Sequence, residues 1–233
     1  MYLVANWKCN KDLNQVRDWF YALEKEAESL SAGSPDMVIC PPIIYLPILS
    51  SLILERGLNL SLGAQFVSGR GFGSYTGDIC SEMILPWASY VLVGHSETRH
   101  SHCLSNEQVA SCLDSCQRAG LRSIICVSDL DQITSLKEIS TVPSGQLFAY
   151  EPLHAISRDG QLNPADPSEV KSFITAAKDL VPTARFLYGG SVSSISLNSF
   201  LDLPLAGFLI GQMSLDPVIF AQLAKKLYEF QKK

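Results

Sequence analysis

The sequence lacks any cysteine arrangement that builds a disulfide framework or a zinc site. Its seven cysteines are an odd number, and no two of them form a CxxC pair. Scattered thiols are typical of proteins in the reducing cytoplasm, so we expect reduced cysteines and no metal. The cysteines stand at positions 9, 40, 80, 103, 112, 116 and 126.

The chain also lacks an excess of positive charge. It carries 18 basic and 23 acidic residues, which gives a net charge of −5. This balance argues against partners such as nucleic acid or an anionic membrane surface. A phosphate ligand would have to be attracted by local groups rather than by the overall charge.

No long apolar run is free of helix breakers. Residues 37–54 carry no charge, but Pro41, Pro42 and Pro47 divide them into a strand, a turn and the start of a helix. Residues 1–6 enter an apolar strand at once, without the basic region and cleavage site of a secretory signal. The sequence therefore predicts a cytoplasmic protein without a membrane span.

Short apolar runs are what the sequence has in quantity. Hydrophobic residues make up 47% of the chain and charged residues 18%, which allows a substantial core. Most of the runs are continuous rather than alternating, as is typical of parallel strands that are covered on both faces. The eight runs span residues 2–5, 36–40, 58–64, 90–93, 121–127, 146–150, 184–187 and 205–210.

Helical periodicity fills the gaps between these runs. Ser105 and Gln108 are spaced as a capping box, and an Asp-Pro pair opens a helix at residue 166 and another at residue 216. Four apolar stripes step by three and four residues. They are Leu13, Val16, Phe20, Leu23, Ala27 and Leu30; Val109, Cys112, Cys116 and Ala119; Val170, Ile174, Ala177 and Val181; and Phe220, Leu223 and Leu227. Weaker patterns over 45–56, 79–87, 129–139 and 193–201 complete a set of eight helices.

The alternation of eight strands with eight helical segments predicts the fold class. No linker divides the chain, so the pattern favours a single closed (β/α)8 barrel domain over residues 1–233. An open doubly wound sheet is the alternative. Its nucleotide-binding form has little support, because no GxGxxG motif follows the first strand.

Polar residues collect where the predicted strands end. In a barrel these ends meet at one rim, where active sites of this architecture lie. Residues from distant parts of the sequence can therefore surround one small ligand. The strand-end segments are Asn6-Trp7-Lys8, Gly94-His95-Ser96-Glu97, Glu151, Tyr188-Gly189-Gly190-Ser191 and Gly211-Gln212.

Glu151 and His95 are the candidates for proton chemistry. Glu151 ends a strand and is followed by Pro152, so its carboxylate would face the mouth of the barrel as a catalytic base. A structural glutamate paired with a lysine or arginine is the alternative. His95 precedes a predicted helix start, whose N–H groups would lower its pKa and keep the imidazole neutral. A histidine that only satisfies a strand-end hydrogen bond is the alternative there.

Two further patterns allow more than one interpretation. The glycine-bearing segments after strands seven and eight lie where this fold often binds phosphate through backbone N–H groups, although such turns are common. His100, His102 and Cys103 could suggest a metal site, but the spacing is not a recognised one. Cys112 and Cys116 share a helical face and are expected to be buried core.

Seven motifs, taken together, resemble triosephosphate isomerase. They occur in the order of that family and run from residue 6 to residue 211, almost the whole chain. They are NWKCN at 6–10, GAQ at 63–65, YTGD at 75–78, GHSE at 94–97, AYEP at 149–152, YGGSV at 188–192 and GFLIG at 207–211.

The resemblance implies a homodimeric, cofactor-free enzyme that interconverts dihydroxyacetone phosphate and glyceraldehyde 3-phosphate through an enediolate. By motif position, Glu151 would move the proton and His95 would polarise the oxygens, roles already established for the family. Lys8 with Asn6 would stabilise the developing negative charge. Ser96 and Glu97 would support these residues. The phosphate-binding set would be the backbone N–H groups of Ser157, Ser191, Gly211 and Gln212, together with Gly189 and Gly190.

Several positions depart from the family's pattern. The segment after the base, residues 153–160, lacks the family's tryptophan and two glycines, which puts the closure of this lid in question. Gln212 replaces a glycine, Thr98 an arginine and Asp78 a glutamate, and the last two changes point to a rebuilt dimer interface, although Thr76 is retained. Two other functions stay open: an aldose-ketose isomerase of this architecture for another small phosphosugar, and an inactive barrel that serves as a binding protein.

Overall fold

The structure is a computed structural model that describes residues 1–27, 34–156 and 162–232. Eight parallel strands form its centre, and each lies within a few residues of a predicted run. The third strand begins three residues later than predicted. The strands are β1 (Tyr2–Asn6), β2 (Asp36–Cys40), β3 (Ser61–Ala64), β4 (Tyr90–Val93), β5 (Arg122–Val127), β6 (Leu147–Tyr150), β7 (Arg185–Tyr188) and β8 (Gly207–Ile210).

The strands close into a barrel in sequence order. Strand β1 pairs with β2 on one side and with β8 on the other, so that Ala5 is opposite both Ile39 and Ile210. This double pairing confirms the predicted (β/α)8 barrel. The alternative of an open doubly wound sheet is wrong, because the first and last strands, β1 and β8, pair with each other.

Helices connect the strands on the outside of the barrel. The predicted caps are present. Ser105 and Gln108 form a capping box. The side chains of Asp166 and Asp216 accept hydrogen bonds from backbone N–H groups in the first turns of their helices, each of which begins with a proline. The helices are α1 (Leu13–Ala27), α2 (Leu46–Arg56), α3 (Ser81–Ile84), α4 (Ser96–Ser101), α5 (Asn106–Ala119), α6 (Leu130–Ile139), α7 (Pro167–Leu180) and α8 (Pro217–Gln231).

The helices differ from the prediction in three places, and the buried stripe of α1 differs in a fourth. The segment predicted as helix over 193–201 is a 3₁₀ helix, Ser196–Phe200, and α3 is a single turn. Short α4 was predicted only as a helix start at Ser96. Leu13 was placed in the buried stripe of α1, but it is 42% exposed because it is the first residue of the helix, while Val16, Phe20 and Leu23 are buried. Leu30 lies outside the described residues.

The hydrophobic core has two layers, which explains why the strands are apolar along their whole length. Alternate strand residues fill the barrel interior, and the others pack against the helices. The interior layer includes Val4, Leu92, Ile124, Ala149, Leu187 and Leu209. Cys112 and Cys116 are buried in the outer layer, as predicted, and burial raises the pKa of Cys116 to about 12.

The described ranges contain neither a membrane-spanning helix nor a cluster of metal ligands. Within residues 1–27, 34–156 and 162–232, no helix combines the length and hydropathy that a membrane crossing requires. Within the same ranges, no three His, Cys, Asp or Glu side chains are grouped as a metal site would need. The ring of His102 lies 5.0 Å from that of Phe66.

Candidate active site

The alternation of strand side chains places polar residues at one end of the barrel. In β6, Ala149 faces the interior, so Glu151 turns inward two residues later. Asn6 continues the inward row of β1, and Gly189 and Gly211 continue those of β7 and β8. The inward-facing residues at the carboxyl ends of these strands therefore lie around a common space.

That space is a cavity of about 280 Å³. Eight of the predicted site residues line it, although they come from five different strand ends. Leu209 of the barrel interior, Trp7 and Ile156 also line it. The predicted residues are Asn6, Lys8, His95, Glu151, Gly189, Ser191, Gly211 and Gln212.

His95 and Glu151 lie in contact within this cavity. Nε2 of His95 is 3.3 Å from Oε1 of Glu151, and their side chains are only 5% and 6% exposed. Gly94 makes this placement possible, because its φ of +73° turns the chain sharply between β4 and His95. In the described part of the chain, Oε2 of Glu151 is buried and has no hydrogen-bond partner.

Hydrogen bonding assigns the ring proton of His95. The backbone N–H of Glu97 donates to Nδ1 of His95 at 3.2 Å, so Nδ1 is an acceptor. The proton of the neutral ring is then on Nε2, which faces Glu151. The imidazole at the N-terminus of α4 thus offers an N–H donor to the cavity.

The direction predicted for the pKa of His95 is wrong. Burial is the largest single influence and lowers this pKa, but the charge of Glu151, its hydrogen bond to the ring and the charge of Glu97 together outweigh it. The net effect is a raised pKa. The prediction considered the N–H groups of the following helix and not a carboxylate that is distant in sequence.

Lys8 reaches the cavity from a strained backbone position. Its φ is +51°, and two hydrogen bonds hold its backbone: its N–H donates to Oδ1 of Asn6 at 3.0 Å, and its carbonyl accepts from Nε2 of Gln65 at 2.9 Å. Its Nζ lies 2.6 Å from Oε1 of Glu97. The charge of Lys8 is therefore fixed beside the cavity.

Four predicted residues are placed differently from this group. Ser96 and Glu97 line a neighbouring cavity of about 540 Å³ that shares Glu151 with the first. Gly190 packs under Tyr188, whose hydroxyl oxygen would be 2.5 Å from an added Cβ. Ser157 lies outside the described residues. The first three surround the site rather than line the cavity that Lys8 reaches.

Ser191 ties the strand-seven turn to the segment that follows Glu151. It has a φ of +50°, and its hydroxyl donates to the carbonyl of Ala155 at 2.6 Å. Gly211 and Gln212 begin the 3₁₀ helix that follows β8. These two turns lie in the position where this fold often binds phosphate.

Comparison with known proteins decides the family of this site. The family model described as triosephosphate isomerase matches residues 1–227. The chain belongs to the triosephosphate isomerase family. The predicted resemblance and the predicted enzyme class, an intramolecular oxidoreductase acting on triose phosphates, are thereby confirmed.

The chain is similar to known triosephosphate isomerases over almost its whole length. The chain is 31% identical to triosephosphate isomerase of Vibrio cholerae, with 99% of this chain and 98% of the relative covered. It is 30% identical to that of Aquifex aeolicus, with 95% and 97% covered. The crystal structure of triosephosphate isomerase from Bartonella henselae superposes with a TM-score of 0.79 at 29% identity, covering 98% of each chain.

Two departures from the triosephosphate isomerase pattern lie outside the cavity. Asp78 accepts from the hydroxyl of Ser68 at 2.7 Å and so belongs to the loop after β3. Thr98 lies in the first turn of α4. Of the altered lid, residues 153–156 are described and form a 3₁₀ turn, Leu153–Ala155, while 157–160 lie outside the described residues.

Some neighbours of the triosephosphate isomerase site were not assigned a role from the sequence. Gln65 stands in a quoted motif, but only the fold shows that its amide holds the backbone of Lys8 and also bonds the carbonyl of Cys40. Cys126 lies beside Glu151, and burial and that carboxylate raise the pKa of its thiol. An inward position near the end of β5 was the available signal for Cys126.

Proposed function

We propose that Glu151 is the base with which this triosephosphate isomerase interconverts dihydroxyacetone phosphate and D-glyceraldehyde 3-phosphate, a reaction of glycolysis and gluconeogenesis. The observation that supports this most strongly is the buried carboxylate of Glu151 beside the Nε2–H of His95. Its Oε2, which has no hydrogen bond within the described residues, is available to accept a proton.

The proposed reaction moves one proton between adjacent carbons. Glu151 takes the proton from C1 of dihydroxyacetone phosphate, and the electrons of the broken C–H bond form an enediolate. Nε2–H of His95 donates to the oxygens and exchanges a proton between them, and the charge of Lys8 stabilises the enediolate. Glu151 then returns the proton to C2, which gives glyceraldehyde 3-phosphate and regenerates the carboxylate.

Asn6, Ser96 and Glu97 are proposed to support these three residues. Asn6 fixes the backbone of Lys8, and Glu97 both orients the ammonium group of Lys8 and bonds Nδ1 of His95 through its N–H. Ser96 lies at the start of α4 beside His95. A buried, pre-arranged set of donors stabilises developing charge better than water, because it does not have to reorient during the reaction.

The phosphate group is proposed to bind at the turns after β7 and β8. Ser191, Gly211 and Gln212 line the same cavity as Glu151. The absence of a side chain at Gly189 leaves room for Glu151, and its absence at Gly190 leaves room for Tyr188. The cavity of about 280 Å³ is small for a ligand pocket, which favours a three-carbon substrate over a larger sugar.

A coupled assay with glyceraldehyde 3-phosphate tests the proposed function. We expect the purified protein to turn over this substrate far faster than a buffer blank. Turnover of a different phosphosugar alone would support the other isomerase, and the altered lid is the observation that favours it. No turnover of either substrate would leave the inactive binding protein and contradict the proposal.

We further propose that the chain is one domain over residues 1–233 and works as a homodimer in the cytoplasm. Large apolar side chains are exposed on and near the loop after β3, where Thr76 lies: Phe72, Tyr75, Met83, Leu85 and Trp87. Such a group of exposed apolar residues is typical of an interface. Light scattering at micromolar concentration is expected to give the dimer mass, and a stable, active monomer would contradict this.

A further inference from the structure

Glu169 makes contact with the chain on both sides of Glu151. Its Oε1 accepts from the hydroxyl of Tyr150, the residue before Glu151, at 3.1 Å. Its Oε2 lies 3.3 Å from Nε2 of His154, three residues after Glu151. One carboxylate therefore bridges the side chains of two residues that flank Glu151, Pro152 and Leu153.

Helix α7 supplies this bridge from a rigid position. Glu169 lies in the first turn, which Asp166 caps, and Phe173 is one turn further along. The ring of Phe173 stacks on that of Tyr150 with centroids 3.7 Å apart and planes 7° from parallel. Tyr150 is thus held by α7 at its ring and at its hydroxyl.

The turn after Glu151 has further attachments. Nδ2 of Asn163 donates to the carbonyl of His154 at 3.0 Å, and Ser191 donates to the carbonyl of Ala155. The contact between Glu169 and His154 joins a side chain of this turn to α7. His154 stands where the family's usual pattern has a tryptophan, so this contact is made by one of the residues that depart from that pattern.

The carboxylate of Glu151 lies against His95, Cys126 and Gly189, with Oε1 3.3 Å from Nε2 of His95. Oε2 has no hydrogen-bond partner within residues 1–27, 34–156 and 162–232. A shift of the backbone at Glu151 would therefore move the carboxylate relative to these neighbours. A base that is misplaced by about 1 Å can lose a hundredfold in rate.

We propose that Glu169 is a positioning residue for Glu151, acting through Tyr150 and His154. This inference rests on the proposed function of Glu151 as the base. Burial, followed by the carboxylate of Glu169, raises the pKa of Tyr150, so that the hydroxyl remains a hydrogen-bond donor.

The test compares Glu169→Ala with Glu169→Gln. Alanine removes both contacts, and it favours helix at this half-exposed position, so the variant is expected to fold. We expect Glu169→Ala to lower kcat by about tenfold or more, with an unchanged inhibition constant for inorganic phosphate. Glu169→Gln keeps an oxygen that accepts from Tyr150, and it is expected to recover part of the lost kcat.

A second readout reports the position of Glu151 without any turnover. The carboxylate of Glu151 raises the pKa of His95, so a displaced Glu151 would let that pKa fall. We expect a lower pKa of His95 in Glu169→Ala, measured by NMR titration without substrate. Tyr150→Phe, which removes only the hydroxyl, is expected to shift both readouts in the same direction.

Glu107→Ala is the matched control, since Glu107 lies in the first turn of α5 and is exposed. It should leave kcat and the pKa of His95 unchanged. The positioning role of Glu169 is overturned if Glu169→Ala leaves either readout at the wild-type value. The proposed role of Glu151 as the base is tested independently, and it is contradicted if Glu151→Gln retains full kcat.

Discussion

Nε2 of His95 lies 3.3 Å from Oε1 of Glu151, and both side chains are almost completely buried. The two residues follow β4 and β6 and are 56 positions apart in the sequence. Each changes what the other can do, because the carboxylate raises the pKa of the ring and the ring gives the carboxylate a hydrogen bond.

Replacing Glu151 by Gln is expected to lower the pKa of His95. Burial alone lowers this pKa, and the charge of Glu151 is the main influence that opposes it. The imidazolium form is thus favoured by Glu151 in the wild type, and it should give up its proton at a lower pH in Glu151→Gln. NMR titration of the His95 ring measures this change, and an unchanged or higher pKa would contradict the observed contact.

Replacing Lys8 by Met is expected to reduce activity much more than stability. The pair with Glu97 is partly exposed, with side chains 28% and 52% accessible, so its loss should cost at most about 1 kcal/mol of unfolding free energy. Loss of one charged donor from the site should lower kcat by about 10²–10³.

Steady-state kinetics and thermal unfolding of the same sample separate the two effects of Lys8→Met. Lys25→Met, on the exposed face of α1, is the control for removing a positive charge and should leave kcat unchanged. An active Lys8→Met enzyme would show that the ammonium group does not stabilise the enediolate.

Replacing Gly189 by Ala is expected to displace Glu151. An added Cβ would lie 2.7 Å from Cγ and 3.2 Å from Oε1 of Glu151, so the carboxylate has to move. We expect kcat to fall by about tenfold or more, because the base is no longer aligned. Kinetics of Gly71→Ala provide the comparison, since a Cβ there meets only Oε1 of Glu82 at 3.7 Å. Equal activity of both variants would show that the close packing at Gly189 has no functional effect.

The fold was largely predictable because its signals are local. Each strand has two buried faces and therefore reads as a continuous apolar run, and Asp166 and Asp216 mark helix starts with a cap and a proline. The segment over 193–201 was mispredicted because its apolar spacing is compatible with a 3₁₀ helix as well as an α-helix. Leu13 was mispredicted as buried because periodicity does not show whether the first residue of a helix packs against the barrel. Leu13 begins α1 and is exposed.

The sequence was enough to predict which residues lie at the site but not which contacts they make with one another. Strand ends located Lys8, His95 and Glu151, since all eight ends of a closed barrel meet on one rim. The raised pKa of His95 and the bridge from Glu169 were not predictable, because both arise from contacts between segments that only the fold brings together. Ser96 and Glu97 were correctly placed near the site, but sequence gave no means of assigning them to a second cavity.

The most direct test of the central claim is to run the reaction in D2O and follow deuterium at carbon by NMR. A carboxylate that takes a proton from carbon exchanges it with solvent, so glyceraldehyde 3-phosphate formed from dihydroxyacetone phosphate should carry deuterium at C2. Glu151→Gln should slow this incorporation by about 10²–10⁴, the usual effect of losing a general base. Incorporation at the wild-type rate in Glu151→Gln would contradict proton transfer by Glu151.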